Sequence, residues 1–262
     1  MSNRTVNIIN GAKGGTGKTL FARLLYATLD QAEAKVVGID SDQENPEFSS
    51  FHADPERFAV PTVDCLSLDG GKKLVTLLSG EVDPSVASRL PALAHRCPAD
   101  VVILDMPAAS STRLREQIDV FDLIPACGEM GYGVTLISVI SASYAPIESM
   151  SRMLDFCGDT VRWVVVKNQY FATEGVKDSF SLWEESKERK RVKKYGGVEI
   201  ELPRLADTTF KAIQASYTPF TSLDSLPLGD KLLARSFVRR SRAQIESAGP
   251  LLGLPTPMVE AA

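Results

Sequence analysis

The chain has no run approaching the 18 or so apolar residues that a membrane-spanning helix needs; its longest apolar stretches are segments such as Val134 to Ile140. No Cys-x-x-Cys pair occurs. Cys65, Cys97, Cys127 and Cys157 are widely spaced and read as small buried side chains, which predicts a reducing, cytoplasmic setting. A secretory leader is not expected, because Arg4 and Asn7 interrupt the first residues and a glycine-rich loop follows too early for a hydrophobic leader core. Internal repeats and low-complexity blocks are absent. An excess of positive charge is missing as well: 29 Lys and Arg stand against 33 Asp and Glu, so any nucleic-acid binding must come from a local basic patch. What remains is a chain of 262 residues, 44% hydrophobic and 24% charged, the composition of a soluble α/β domain.

Short apolar runs alternate with helical periods. Strands are expected at 5–9, 35–39, 101–104, 132–141, 161–166 and 198–202, and helices at 18–30, 72–78, 84–96, 111–126, 145–157, 182–195, 206–216 and 228–247. Pro91 is expected to kink or split the 84–96 helix. Such alternation implies parallel βαβ units in a doubly wound, mostly parallel sheet flanked by helices. One domain is expected over 1–248, with a flexible tail over 249–262. The stretch 44–69, with Pro46, Pro55 and Pro61 and no sustained period, reads as a mobile surface segment.

Directly behind the first strand stands Gly11-Ala12-Lys13-Gly14-Gly15-Thr16-Gly17-Lys18-Thr19. Ala12 breaks the plain P-loop pattern, which needs glycine there; Lys-Gly-Gly-x-Gly-Lys-Thr fits instead. Gly14, Gly15 and Gly17 let backbone N–H groups converge on phosphate oxygens. Lys18 supplies charge to the β and γ phosphates, Thr19 is placed for Mg²⁺, and the opening helix adds its positive end. Lys13, at the mouth of the loop, has little room to bend back, so its target is a nucleotide held by a second copy. Residues 13–19 resemble the deviant Walker A motif of the ParA/MinD family of dimerising ATPases, and the resemblance implies that Lys13 crosses to the partner's ATP. The expected nucleotide-binding set is Gly14, Gly15, Thr16, Gly17, Lys18, Thr19 and Leu20.

Two acids, Asp40 and Asp42, close the second strand on the carboxyl edge where the phosphate loop sits. Asp40 is placed for the water shell of Mg²⁺, and Asp42 for orienting or deprotonating the attacking water. Asp40-Ser41-Asp42-Gln43 also resembles the family's Asp-x-Asp element. Val101 to Asp105 has the Walker B pattern, an apolar strand ending in an acid that reaches Mg²⁺ through water. The expected catalytic residues are thus Lys13, Lys18 and Asp42, and the metal-site residues Thr19, Asp40 and Asp105. By resemblance, Asn168 sits where the family reads the base, and Lys167-Asn168-Gln169 lacks the acid that would read guanine, so ATP is expected. Leu202-Pro203-Arg204 resembles a stretch whose backbone flanks the base, which adds Pro203.

On the last helix Lys231, Arg235, Arg239 and Arg242 share one arc, with Leu233 and Phe237 on the far side, and that face could meet DNA phosphates without reading sequence. The Lys187 to Lys194 cluster is a second basic candidate, offset by its own glutamates. A terminal membrane helix is not expected, because 251–262 lacks a bulky apolar face. The resemblance implies a ParA-like ATPase with ATP and Mg²⁺ as cofactors: an ATP-dependent homodimer that couples slow hydrolysis to DNA or plasmid segregation or to positioning, through nonspecific DNA and an adaptor or ATPase-activating protein. With no DNA-reading domain expected ahead of Thr5, it implies the small type. The alternative is a metabolic enzyme on the same loop. Ala108 to Thr112 has no cysteine for an iron-protein-type reductase, and the tail has no tyrosines for a tyrosine kinase. A dethiobiotin-synthetase-like ligase stays open.

Overall fold

The computed structural model describes residues 4–11, 13–173 and 179–254. Six strands, β1 (Arg4–Asn10), β2 (Val36–Asp40), β3 (Val101–Asp105), β4 (Tyr132–Ile140), β5 (Arg162–Asn168) and β6 (Val198–Leu202), form one sheet in the order β2-β3-β1-β4-β5-β6. Every pairing is parallel. This is the expected doubly wound architecture.

The central strands are buried on both faces, which is why they read as continuous apolar runs instead of alternating ones. Side chains nevertheless alternate between two cores. Val6, Ile8, Val102, Leu104 and Leu136 pack against helices that include Leu68–Ser79, Ser111–Val120 and Ala145–Cys157. Ile9, Ile103, Ile137, Val164 and Ile200 face the Lys18–Gln31, Asp207–Ala215 and Leu228–Ser247 helices. From β1 the chain runs out to the edge strand β2, returns to β3 beside β1 and then crosses to β4 on the other side of β1, so the direction of winding reverses there. In open α/β sheets a ligand binds outside the carboxyl ends of the strands at such a point.

Several expected elements come out divided. Pro91 does split its helix: Pro84–Arg89 and Pro91–Arg96 meet at Leu90, and Asp83 caps the first by accepting from Ser85 N. The 111–126 helix breaks into Ser111–Val120 and Leu123–Glu129, with Asp122 at φ 45° between them. The 182–195 helix likewise divides into Ser181–Glu184 and Lys187–Lys194, and Ser186 caps the second by accepting from Arg189 N.

Two expectations are corrected. Residues 44–69 are packed, not a mobile surface stretch: Phe48, Phe51, Phe58, Ala59 and Val60 are buried. Backbone bonds from Gly38 N to Ala59 O, Asp40 N to Pro61 O and Val63 N to Asp40 O lay residues 59–63 along β2 and cover that sheet edge. The tail is the second correction. Gly249–Leu252 is a helical turn with Leu252 fully buried, and Asn7 Nδ2 donates to Leu252 O at 3.0 Å. Residues 255–262 lie outside the described residues.

Candidate nucleotide site

Parallel register sets the acids of the site side by side. Asp40 pairs with Asp105 across β2 and β3, and Asp105 with Ile9 across β3 and β1. Ser41 N to Asp105 O and Met106 N to Ile9 O carry the ladder one step further, to where the glycine-rich loop departs.

The loop itself is held from both ends. Gly11 N donates to Asn10 Oδ1 at 2.8 Å, and Asn10, 4% exposed, also meets the hydroxyls of Ser110 and Ser111 beyond β3. Gly15 and Gly17 take φ of 74° and 97°, and Gly17 opens the Lys18–Gln31 helix. A Cβ on Gly17 would stand 2.5 Å from Asn168 Nδ2, so glycine is required there by space as well as by backbone.

The two lysines are segregated. Lys18 is buried, and its Nζ donates to Lys13 O at 3.4 Å. Burial lowers the Lys18 pKa, and the nearby carboxylates of Asp105 and Asp42 oppose that shift. Lys13 and Gly14 are exposed, while Thr16 is buried and bonds Lys13 O.

Burial pushes Asp105 up to about 7 and Asp40 up to about 6. Asp40 is pinned by two backbone donors, Asp42 N at 3.1 Å and Ser49 N at 2.9 Å. Asp105 stands beside the Thr19 hydroxyl, which opposes the upward shift, and its Oδ1 is buried with no hydrogen-bond partner. An unfilled acceptor beside Thr19 and Asp40 fits a hydrated Mg²⁺. Among the described residues no cluster of three His, Cys, Asp or Glu could chelate an ion unaided, so phosphate oxygens would complete the shell. Held there, the ion would neutralise phosphate charge.

Burial of this pair ties nucleotide-free stability to pH. A carboxyl raised by burial keeps its proton in the folded chain where the unfolded chain has lost it, so its stabilising share is complete below about pH 4 and is gone above about pH 7. Asp105→Asn should therefore gain nucleotide-free stability over the wild type as pH rises from 4 to 8, on the order of 2–4 kcal/mol. The same variant should lose the Mg²⁺ dependence of nucleotide binding. Calorimetric melting at the two pH values and nucleotide titration with and without Mg²⁺ check both; an unchanged stability gap or retained Mg²⁺ dependence contradicts the assignment.

Asn168 is 4% exposed, donates to Thr16 O at 2.8 Å and accepts from Tyr170 N at 3.1 Å. It anchors the phosphate loop to the end of β5. One N–H and one lone pair remain for a ligand. Gly15, Gly17, Lys18, Thr19, Leu20, Asn168 and Pro203 share the walls of a cleft of about 560 Å³ with Tyr170, Phe171, Leu205 and Phe210. These aromatic and apolar walls suit the flat face of a base. Glu47, Lys211 and Gln214 also face it.

Sequence reasoning missed Asn10, Glu47 and the Tyr170-Phe171 and Phe210 walls; the aromatic pair two residues after a strand-ending Asn was the one local signal. It also missed Arg23, fully buried on the first helix. The Arg23 guanidinium lies 3.2 Å from the centroid of the Phe51 ring and 3.5 Å from Glu47, which also accepts from Gln214. Burial lowers Arg23 to about 9.

The expected DNA face lies elsewhere. Lys231, Arg235, Arg239 and Arg242 stand on the last helix, and the arginines reach the far end of the Lys18–Gln31 helix, about 20 Å of helix from the phosphate loop. Lys231 and Arg235 pair with Asp224 at 2.5 and 3.6 Å, and Arg242 with Glu246 at 2.6 Å. Leu233, expected on the packed side with Phe237, is 50% exposed, whereas Phe237 is buried. In the 187–194 cluster Arg189 and Arg191 pair with Glu184, Glu199 and Asp155. No helix among the described residues is long and apolar enough to cross a membrane.

Comparison with known proteins agrees with this geometry. Residues 7–202 match the CobQ/CobB/MinD/ParA nucleotide binding domain. The protein MobD of Acidithiobacillus ferrooxidans is 23% identical over 229 residues, 87% of this chain and 90% of its own. Among solved structures, the ATP complex of a single-residue variant of McdA from Cyanothece is similar at a TM-score of 0.53 and 18% identity, over 98% of this chain and 99% of that one. MinD of Aquifex aeolicus in its complex with MinC is similar at 0.54 and 13%, over 92% and 96%. Matched along most of its length and carrying the phosphate loop between parallel strands, the chain belongs to the CobQ/CobB/MinD/ParA nucleotide-binding family.

Proposed function

We propose that this protein is an ATPase that dimerises when ATP binds and is reset by slow hydrolysis, serving DNA segregation or the positioning of a cellular cargo. One observation carries the reading: of two lysines in a single loop, Lys18 is buried against its own loop while Lys13 is exposed at the mouth. Lys18 answers the β and γ phosphates of the nucleotide in its own cleft. Lys13 answers those held by a second copy placed face to face. Asp42, half-buried with its Oδ1 accepting from Asn45 N at 3.0 Å, orients the attacking water.

ATP as the nucleotide is supported by the similar McdA complex, which holds ATP, and a protein partner by the similar MinD complex with MinC. Nonspecific DNA binding through Lys231, Arg235, Arg239 and Arg242 is not carried into this proposal, because Asp224 and Glu246 pair with three of the four. Sedimentation of the full chain tests the central claim. A shift from monomer to dimer is expected with ATP and Mg²⁺ and not with ADP; a monomer under every nucleotide condition defeats it.

A further inference from the structure

At the end of the Lys18–Gln31 helix remote from the phosphate loop, a groove of about 500 Å³ runs between that helix, the 220–224 loop and the last helix. Four guanidinium groups line it: Arg57 from the packed 44–69 segment, and Arg235, Arg239 and Arg242 from the last helix. Phe220, Leu223 and Val238 provide apolar lining. The acids at the groove are Asp30, committed to Arg96 at 2.8 Å, and Asp224, committed to Lys231 and Arg235. Glu246 takes up Arg242. Among the described residues neither Arg57 nor Arg239 carries a salt bridge, although Arg57 reaches Thr221 O at 3.4 Å and stacks on Phe58.

The charge calls for an anion, and three features select its kind. First, the groove is concave and partly apolar, whereas a duplex offers a convex row of phosphates with no apolar group at that depth. Second, Leu228 and Leu232 are 73% and 56% exposed and share the helix arc of Arg235 and Arg239, so the cationic ridge is interleaved with apolar side chains that phosphates do not use. Third, the groove lies at the carboxyl end of a helix and beside Asp30, where the helix dipole opposes a concentrated dianion. Single carboxylates spread along a chain avoid that cost, because each can face one guanidinium. Arg235 to Arg242 spans about 10 Å of helix, the length of about three residues of extended peptide.

We propose that this groove docks an acidic peptide segment of a partner protein, with carboxylates on Arg57 and Arg239 and a bulky apolar side chain toward Phe220, Leu223 and Val238. The site is separate from the nucleotide cleft and does not rest on the dimerisation reading.

Fluorescence anisotropy with the full chain tests it. The probe is a labelled peptide alternating Glu with Leu and Phe; the comparison probes are its Gln counterpart, its Glu–Gly counterpart and a labelled duplex of about 20 base pairs. The Glu–Leu–Phe peptide should bind more tightly than the other three. Arg57→Ala combined with Arg239→Ala should weaken it by about tenfold or more. Asp224→Asn, which releases Lys231 and Arg235, should tighten it severalfold, a gain that damaged folding would not mimic. Arg240→Ala, on the other side of the helix, should leave it unchanged. Equal binding of the Glu–Gly peptide, preferential binding of the duplex with loss in the double variant, or no response to that variant would each overturn the proposal.

Discussion

Asp42→Ala should lower ATP turnover by about 10²–10⁴-fold while leaving ATP binding and the ATP-dependent dimer in place. The acids of the site divide the work by their surroundings. Asp40 cannot approach a water as a free base, because its oxygens are held by the backbone N–H groups of Asp42 and Ser49. Asp105 is buried, raised to about 7 and beside Thr19, which suits it to the cation side of the phosphates proposed for it. Asp42 alone is half-buried, follows the strand end by two residues and stands at the loop leading into the Glu47–Ser50 helix. That helix is fixed through Glu47 by the buried Arg23 and by Gln214, so the backbone behind Asp42 is braced before any nucleotide arrives. Phosphate release under single-turnover conditions, measured beside sedimentation with ATP, separates the two effects. Turnover within about threefold of the wild type, or loss of nucleotide binding together with turnover, would remove Asp42 from the reaction.

The strands and the phosphate loop were legible because their cause is local. Val101 to Asp105 is an apolar run ended by an acid, and Lys13 to Thr19 has glycine where φ must be positive. What escaped depends on pairings across the chain. Phe48 and Phe51 are three positions apart at a helix of only four residues, Glu47–Ser50, too short to give a sustained period, and residues 59–63 are ordered by β2 and not by their own propensity. Arg23 looks like a solvent-facing residue of an amphipathic helix, and only the rings of Phe51 and Phe220, 28 and 197 positions away, make a burial site for it. The basic arc of the last helix was correctly periodic, but the partners that neutralise it, Asp224 and Glu246, lie in a preceding loop and one turn on. Asn168 shows the same limit: its place at a strand end is visible in sequence, its bond to Thr16 O is not.

Lys13→Ala should weaken the ATP-dependent dimer by about a hundredfold or more and leave nucleotide binding to the single chain within about threefold of the wild type. The loop's internal bonds predict the second half of that result. Thr16 Oγ1 and Lys18 Nζ both bond the backbone carbonyl of Lys13, so removing the Lys13 side chain deletes none of them. Its ammonium is exposed, and placing it against a partner's phosphates pairs it with concentrated negative charge out of water, where loss of one member of a charge pair costs most. A symmetric dimer makes the contact twice, once from each copy. Lys18→Ala supplies the contrast, because that side chain is buried in its own cleft and its removal should abolish nucleotide binding by the monomer first. Nucleotide titration at protein concentrations below dimerisation, paired with sedimentation above it, distinguishes the two lysines. If Lys13→Ala dimerises as the wild type does, or if it fails to bind ATP as a monomer, then Lys13 serves its own loop and the segregation of the two lysines has no bearing on a second copy.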